Sequence, residues 1–361
     1  MGILASVVLG GTMEEKFQQC IKTSTSLNRN PHVLGAFLIA IFSFFPRKLP
    51  QARYEIMKMK NEHDGTASLL AGIEAGGTKY VCAIAIDPSD PIDEIRFSTG
   101  APEETLQQAV EFFQKASETH GPIASLGIGT FGPADINPTS DTYGQILTTP
   151  KPGWAGFNLV EFLRERAQME CPLVFETDVN AAAVAEANSG AGKGQDTVAY
   201  ITVGTGIGAG LWEKGEVLHG RMHSEVGHIV VPDFDKDFGK DTNHCPFHSS
   251  CFEGRAAGPA IEKRWGVPGT ELPDDHPAWD LEAAYLAAGC ITLTATWSPD
   301  VILLGGGVPQ KPGLIEKVRS EFEKQSGGYW SLPPLESYLQ YPALGQRAGI
   351  VGALTLAEAI I

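Results

Sequence analysis

Basic residues are scarce in this sequence and never form a run: 27 Lys and Arg stand against 43 Asp and Glu, a formal net charge of −16. Neutralising many phosphates takes a basic face, so nucleic acid is excluded as the main partner. The same charge repels a polyphosphate at long range, which leaves its binding to local backbone N–H groups and a divalent cation. Six cysteines in 361 residues are too few and too scattered for a disulfide scaffold. Cys20, Cys82, Cys171 and Cys290 stand singly in mixed or apolar surroundings and read as packing or surface residues. Cys245 and Cys251 differ, because histidines surround them. Membrane-length apolar runs are missing as well. Val33 to Phe45 is flanked by Arg29, Arg47 and Lys48, but its 13 residues rise about 20 Å as a helix, short of the roughly 30 Å hydrocarbon core. No clear small-residue cleavage site follows Phe45. Residues 1–67 are therefore expected to be a poorly ordered extension, or translated sequence upstream of a start at Met57 or Met59. A membrane-associating segment is the alternative. For the remainder a cytoplasmic location is expected, with no membrane partner.

Hydrophobic residues make up 43% of the chain, enough for two packed domains. Several of the 41 glycines cluster in short apolar-flanked runs, the distribution of tight turns between buried strands. From Leu69, LLAGIEAGGTKYVCAIAID reads as two strands joined at Gly76-Gly77-Thr78. TVAYITVGTGIGAGLWEKGEV has the same layout about 125 residues later, with its turn at Gly204 to Gly208. Glu103 to Thr119 carries Leu106, Ala109, Val110 and Phe113 at helical spacing and predicts a surface helix. Ile123 to Gly129, Leu173 to Phe175 and Val301 to Leu304 predict short strands. Ala181 to Ala187 and Leu281 to Thr296 predict helices. Alternating strands and helices imply an α/β fold with mixed sheets, and the repeat implies two similar domains facing each other. The boundary is expected near Asn188 to Asp196, giving a first lobe over 68–190 and a second over 191–361, whose C-terminal helix can return to the first.

The repeated turns are the first chemical signal. Turns without Cβ atoms let backbone N–H groups approach phosphate oxygens, and a Thr hydroxyl adds a donor. Neither fits the Walker pattern, and Gly204-Thr205-Gly206-Ile207-Gly208 joins two strands rather than opening a helix, unlike a dinucleotide fingerprint. Singly each turn reads as structural; as a facing pair they read as a phosphate clamp. The second signal is Asp178, where a strand gives way to the Ala-rich helix. Asp there serves either as the helix N-cap or as a general base for a reacting hydroxyl, and a helix N-terminus is expected to keep it ionised. The third is Cys245-Pro246-Phe247-His248-Ser249-Ser250-Cys251, with His228 lying 17 residues upstream of Cys245. Two Cys and two His suit a closed tetrahedral zinc site of structural type. Reactive cysteines are the other reading of the pair, and His244 and His223 compete as ligands.

Taken together, the stretches GIEAGGTKYVCA, GTFGPAD, TTPKPGW, FETDVNAAA, ITVGTGIGAG, SEVGH, CPFHSSCFEG and ILLGGGV resemble the ROK sugar kinases, over about four-fifths of the chain. Within that family the sequence is most similar to bacterial fructokinases. The resemblance implies an α/β fold of two actin/hexokinase-like (ribonuclease H-like) domains facing a central cleft, and ATP-dependent phosphorylation of fructose to fructose 6-phosphate by a homodimer. It implies ATP and magnesium held by Glu74, Gly76, Gly77, Thr78, Lys79, Thr205 and Gly206, with Gly305, Gly306 and Gly307 near the adenosine. It implies Asp178 as the base, and Gly132, Thr177, Glu225, His228 and Glu253 at the sugar. His228 would also ligate zinc with Cys245, His248 and Cys251. Most members have Asp where this chain has Glu74, Asn where it has Thr177, and a three-Cys version of the metal run; all three departures look like the fructokinase branch. Glucose, mannose or N-acetylmannosamine are the alternative substrates. A sugar-responsive repressor is the alternative of another class, although the extension lacks paired amphipathic helices and a basic recognition face.

Overall fold

The computed structural model describes residues 68–361 apart from Gln168 and 236–241. The N-terminal extension, with its apolar run and Cys20, lies outside the described residues. The fold is built on two five-stranded sheets of identical strand plan. In the first, β1 (Leu69–Ala75) pairs antiparallel with β2 (Lys79–Asp87), and β2 with the edge strand β3 (Asp90–Ser98). On its other side β1 runs parallel to β4 (Ile123–Thr130), and β4 to β5 (Leu173–Thr177). The second sheet repeats this order with β6 (Thr197–Val203), β7 (Ile207–Glu213), β8 (Glu216–Val217), β9 (Val301–Gly305) and β10 (Leu339–Gln340). β6 is antiparallel to β7 and parallel to β9. The Gly-marked repeat in the sequence is thus a repeat of whole sheets.

β1 is apolar almost throughout because helices cover both of its faces, which removes the alternation of a half-exposed strand. One face packs on α1 (Pro102–His120), which buries Leu106, Ala109, Val110 and Phe113 as its spacing predicts, and on α2 (Leu159–Ala167). Facing it from the other side is α9 (Ala348–Glu358), whose Ile350, Leu354 and Ala357 pack on Leu70, Val81, Ala83 and Ala85. The contact is close: a Cβ on Gly127 would lie 1.8 Å from the Ala353 carbonyl oxygen. Ser125 donates to the Ala357 carbonyl at 2.8 Å, fixing the last turn of α9. The second sheet is covered by α4 (Phe252–Ala256), α5 (Gly258–Trp265), α6 (Ala278–Trp297) and α7 (Leu314–Ser326), with the short α8 (Leu335–Tyr338) leading into β10. Cys82 and Cys290 are buried packing residues and Cys171 is half-buried.

Between the two sheets lies α3 (Asp178–Ser189), in contact with β4, β6, β7 and α9. A helix packed on several sides needs small side chains, which explains its run of buried alanines, Ala181, Ala182, Ala183, Ala185 and Ala187. The chain leaves α3 at Ser189 and enters the second sheet at Thr197. It returns after Gln340 to form α9 on the first sheet.

Candidate active site

A cleft of about 380 Å³ opens at the N-terminal end of α3. Glu74 and Thr202 line it from equivalent positions, one residue before the ends of β1 and β6. Asp178 and Ala182 come from α3, Gly306 from the end of β9, and Tyr341, Gln346 and Gly349 from the segment entering α9. The wall is therefore supplied by both halves of the repeat.

Asp178 is the first residue of α3, and the N-cap is Thr177, whose side-chain oxygen accepts from the Asn180 N–H at 3.3 Å. This corrects the capping alternative for Asp178: its carboxylate is left for the cleft, accepting from the Val179 N–H at 2.8 Å. The expectation that the helix terminus keeps it ionised is also corrected. Burial first, and then the charge of Glu74, push its carboxyl up to about 7. Burial likewise raises Glu74, against the opposing charge of Lys79, whose Nζ lies 4.0 Å from Oε1. Its other oxygen, Oε2, is buried without a hydrogen-bond partner. Two acids with raised pKa values in one cleft are the usual mark of a proton-transfer or cation site.

Among the residues expected at the nucleotide, Glu74 and Gly306 line this cleft, while Gly76, Gly77, Thr78, Lys79, Thr205, Gly206, Gly305 and Gly307 are not part of its lining. The first turn is closed by the Gly76 N–H donating to the Lys79 carbonyl at 3.0 Å, and Lys151 reaches the Gly77 carbonyl. A Cβ on Gly76 would meet that Lys79 oxygen at 2.6 Å. Gly306 takes a left-handed φ of 85° against Val203, so the strand can turn sharply out of the sheet. Gly305 instead packs on the Tyr200 hydroxyl.

Of the residues expected at the sugar, Thr177 directly precedes Asp178, and the charge of Glu225 raises the Asp178 carboxyl further. Burial first raises the Glu225 carboxyl in turn, with His223 and His228 opposing and Glu253 adding to the rise. Glu253 Oε2 accepts from the Ile207 N–H at 2.9 Å, anchoring it to the second turn. Gly132 sits against the His223 ring, whose Nε2 accepts from the Ala134 N–H at 3.1 Å. Thr177 is buried in its cap. A neighbouring network was missed in the sequence. Glu176 Oε1 accepts from Asn180 Nδ2 at 2.8 Å and the Thr177 N–H at 2.7 Å, and Oε2 lies 2.5 Å from Nε2 of His219, which follows β8. Its place two residues before Asp178 was the available signal; nothing local marks His219. Tyr341, Gln310 and Gln346 carried no motif signal either.

His228, Cys245, His248 and Cys251 bring four ligand atoms within 4.8 Å of one another. Bonds of 2.0–2.3 Å to a tetrahedral zinc need edges of roughly 3.3–3.8 Å, so a small contraction of this cluster would suffice. Cys245 Sγ already lies 3.5 Å from His248 Nδ1 and 4.0 Å from His228 Nδ1. Asn243 Nδ2 ties the loop by donating to the carbonyls of Cys245 and His248 at 2.9 and 2.6 Å. Of the competing histidines, His223 is committed to Ala134 and His244 is exposed; neither belongs to the cluster.

Duplicated lobes, a shared cleft and a carboxylate at the head of the central helix define a two-lobed α/β enzyme of the actin/hexokinase-like architecture. The chain belongs to the ROK family, whose model matches residues 70–360. It is 41% identical over 293 residues to a fructokinase of Pediococcus pentosaceus, covering 81% of this chain and 99% of that protein. To a fructokinase of Zymomonas mobilis it is 40% identical over 293 residues, with 80% and 95% covered. Among solved structures, a ROK hexokinase from Thermus thermophilus superposes with a TM-score of 0.66 at 28% identity, covering 80% of this chain and 97% of that one.

Proposed function

We propose that the protein is a fructokinase that transfers the γ-phosphoryl group of ATP to the 6-hydroxyl of fructose. The observation that carries this reading is Asp178, uncommitted to capping, half-buried, and facing Glu74 across one cleft. Identity near 40% to fructokinases over almost their whole length supports the substrate.

Asp178 accepts the hydroxyl proton as the sugar oxygen attacks the γ-phosphorus, the bond to the bridging oxygen breaks, and ADP leaves. Its raised pKa makes it an effective acceptor near neutrality. Glu225, His228, Glu253 and Gly132, with the buried Thr177, form the sugar side and orient the hydroxyl. Gly76, Gly77, Thr78 and Lys79 with Thr205 and Gly206 close on the phosphates, and Gly305, Gly306 and Gly307 border the adenosine. Closure of lobes 68–190 and 191–361 excludes water, which would otherwise compete as acceptor. The unpartnered Oε2 of Glu74 is a hard oxygen donor that would help hold magnesium arriving with ATP, and the ion would supply neutralisation of phosphoryl charge. His228, Cys245, His248 and Cys251 would hold zinc, which would fix the ring orientation of His228. The reading includes a cytoplasmic homodimer with no membrane or nucleic-acid partner; among the described residues no helix is long and apolar enough to cross a membrane.

A coupled assay over a hexose panel with ATP and magnesium tests it. Fructose is expected to give the highest kcat/KM; higher efficiency on glucose would overturn the substrate assignment. Wild-type turnover in a folded Asp178→Asn variant would overturn the base.

A further inference from the structure

The chain passes between the sheets twice, once over 190–196 and once over 341–347, and one buried carboxylate holds both passages. Glu186, fully buried near the end of α3, accepts from the Ala191 N–H at 2.8 Å in the first. It also accepts from the Ala343 N–H at 3.0 Å and the Leu344 N–H at 2.8 Å in the second. No cation pairs with Glu186 among the described residues, so its charge is balanced by backbone donors alone. The first passage wraps tightly around it: a Cβ on Gly190 would lie 2.0 Å from Oε2.

The two donors in the second passage sit between residues that form the cleft wall, Tyr341 and Pro342 before them, Gly345 and Gln346 after. Asp178, Ala182 and Glu186 follow at intervals of four on α3, so they share one helical face. Asp178 and Ala182 line the cleft at one end of that face, and Glu186 braces its wall from behind at the other, about 12 Å along the axis from Asp178.

We propose that Glu186 is a positioning residue that locks the wall segment 341–346 to the 190–196 passage, so that nucleotide in the cleft and the setting of the lobes are coupled through one side chain. The proposal rests on the reading of this cleft as the ATP site. Charge-assisted bonds to three amides in a dry site are strong enough to transmit such coupling, because losing one acceptor leaves buried N–H groups unmet.

Two measurements on the full chain test it. In calorimetric titration with the non-hydrolysable analogue AMP-PNP and magnesium, Glu186→Gln is expected to weaken binding about tenfold. Its fructose KM is expected to stay within about twofold. A generally damaged fold would lower the active fraction without separating the two ligands. Equal AMP-PNP affinity in variant and wild type would overturn the proposal and leave the kinase reading intact. Failure of the wild type itself to bind AMP-PNP would overturn the ATP-site reading on which it rests. Should the variant not fold, hydrogen exchange of the wild type decides. No residue of 190–196 lines the cleft, so nucleotide cannot shield that segment directly. Slowed exchange there, alongside 341–347, is the expected result of coupling. Unchanged exchange over 190–196 when 341–347 is protected would overturn the proposal.

Discussion

Glu74 and Asp178 line one cleft from different elements, and after burial the charge of Glu74 is the largest influence holding the Asp178 carboxyl up at about 7. The pair links the end of β1 to the head of α3. Among the described residues Glu74 has the charges of Lys79, 4.0 Å from Oε1, and Arg96 opposing its burial, and no ion pair forms at Asp178. The cost of holding two such groups together is a reason to expect a ligand that relieves it.

Asp178→Asn is expected to lower kcat by about 100-fold or more, with substrate KM values little changed. Wild-type kcat/KM should rise with pH through about 7, because only the ionised carboxylate accepts a proton. For stability the sign is reversed. A carboxyl raised in the folded state contributes stability that is full below its unfolded value and lost as pH rises through about 7. The variant should therefore melt above the wild type by a few degrees at pH 8. A lower melting temperature there would contradict the electrostatic account.

Glu74→Gln removes the like charge facing Asp178. The rising limb of the kcat/KM profile is expected to move to lower pH by roughly one unit. An unmoved limb would mean that the charge of Glu74 does not set the Asp178 carboxyl.

His219 and Glu176 predict a second pH effect. The hydrogen bond to Glu176 raises the His219 pKa, so its contribution is full below the ordinary histidine value and lost as pH rises through the raised one. The ring is 44% exposed, and after solvent screening the contribution is at most about 1 kcal/mol. Denaturant unfolding of His219→Ala should differ from wild type at pH 6 and converge at pH 9. An equal difference at both would disprove the ionic component.

The metal cluster predicts one zinc per chain by elemental analysis, lost in Cys251→Ser together with several degrees of melting temperature. A metal-free preparation that melts at the same temperature as the untreated protein would remove the structural role of the cluster.

Packing of α9 predicts a contrast between two glycines. Gly127→Ala drives a Cβ into the Ala353 carbonyl and should cost about 3 kcal/mol or more, whereas Gly77→Ala meets nothing within 4 Å. Similar unfolding midpoints for the two variants would refute that close contact.

The regular elements were largely legible because their signals are local. Leu106, Ala109, Val110 and Phe113 at helical spacing became the buried stripe of α1. The predicted Gly-marked hairpins became β1–β2 and β6–β7. Cys245, His248 and Cys251 were legible for the same reason, since they share one short loop; that His228 rather than His223 or His244 joins them only the fold decides. Which residue caps α3 stayed open in the sequence, because Thr177 and Asp178 are both good N-caps; in the fold Thr177 takes that place.

By itself the sequence determined most of the elements, the Cys-x-x-His-x-x-Cys run and the identity of the acidic residue at the head of α3, since each depends on neighbours a few positions away. Only the tertiary structure decided the chemistry of those groups. Desolvation and the field of Glu74, from about a hundred residues upstream, set the Asp178 carboxyl at about 7 rather than in the ordinary carboxylate range. Folding likewise brought Glu186 to Ala343 and Leu344, 157 and 158 residues further on. Burial and through-space charge fall off with distance in three dimensions, and separation along the chain does not report that distance.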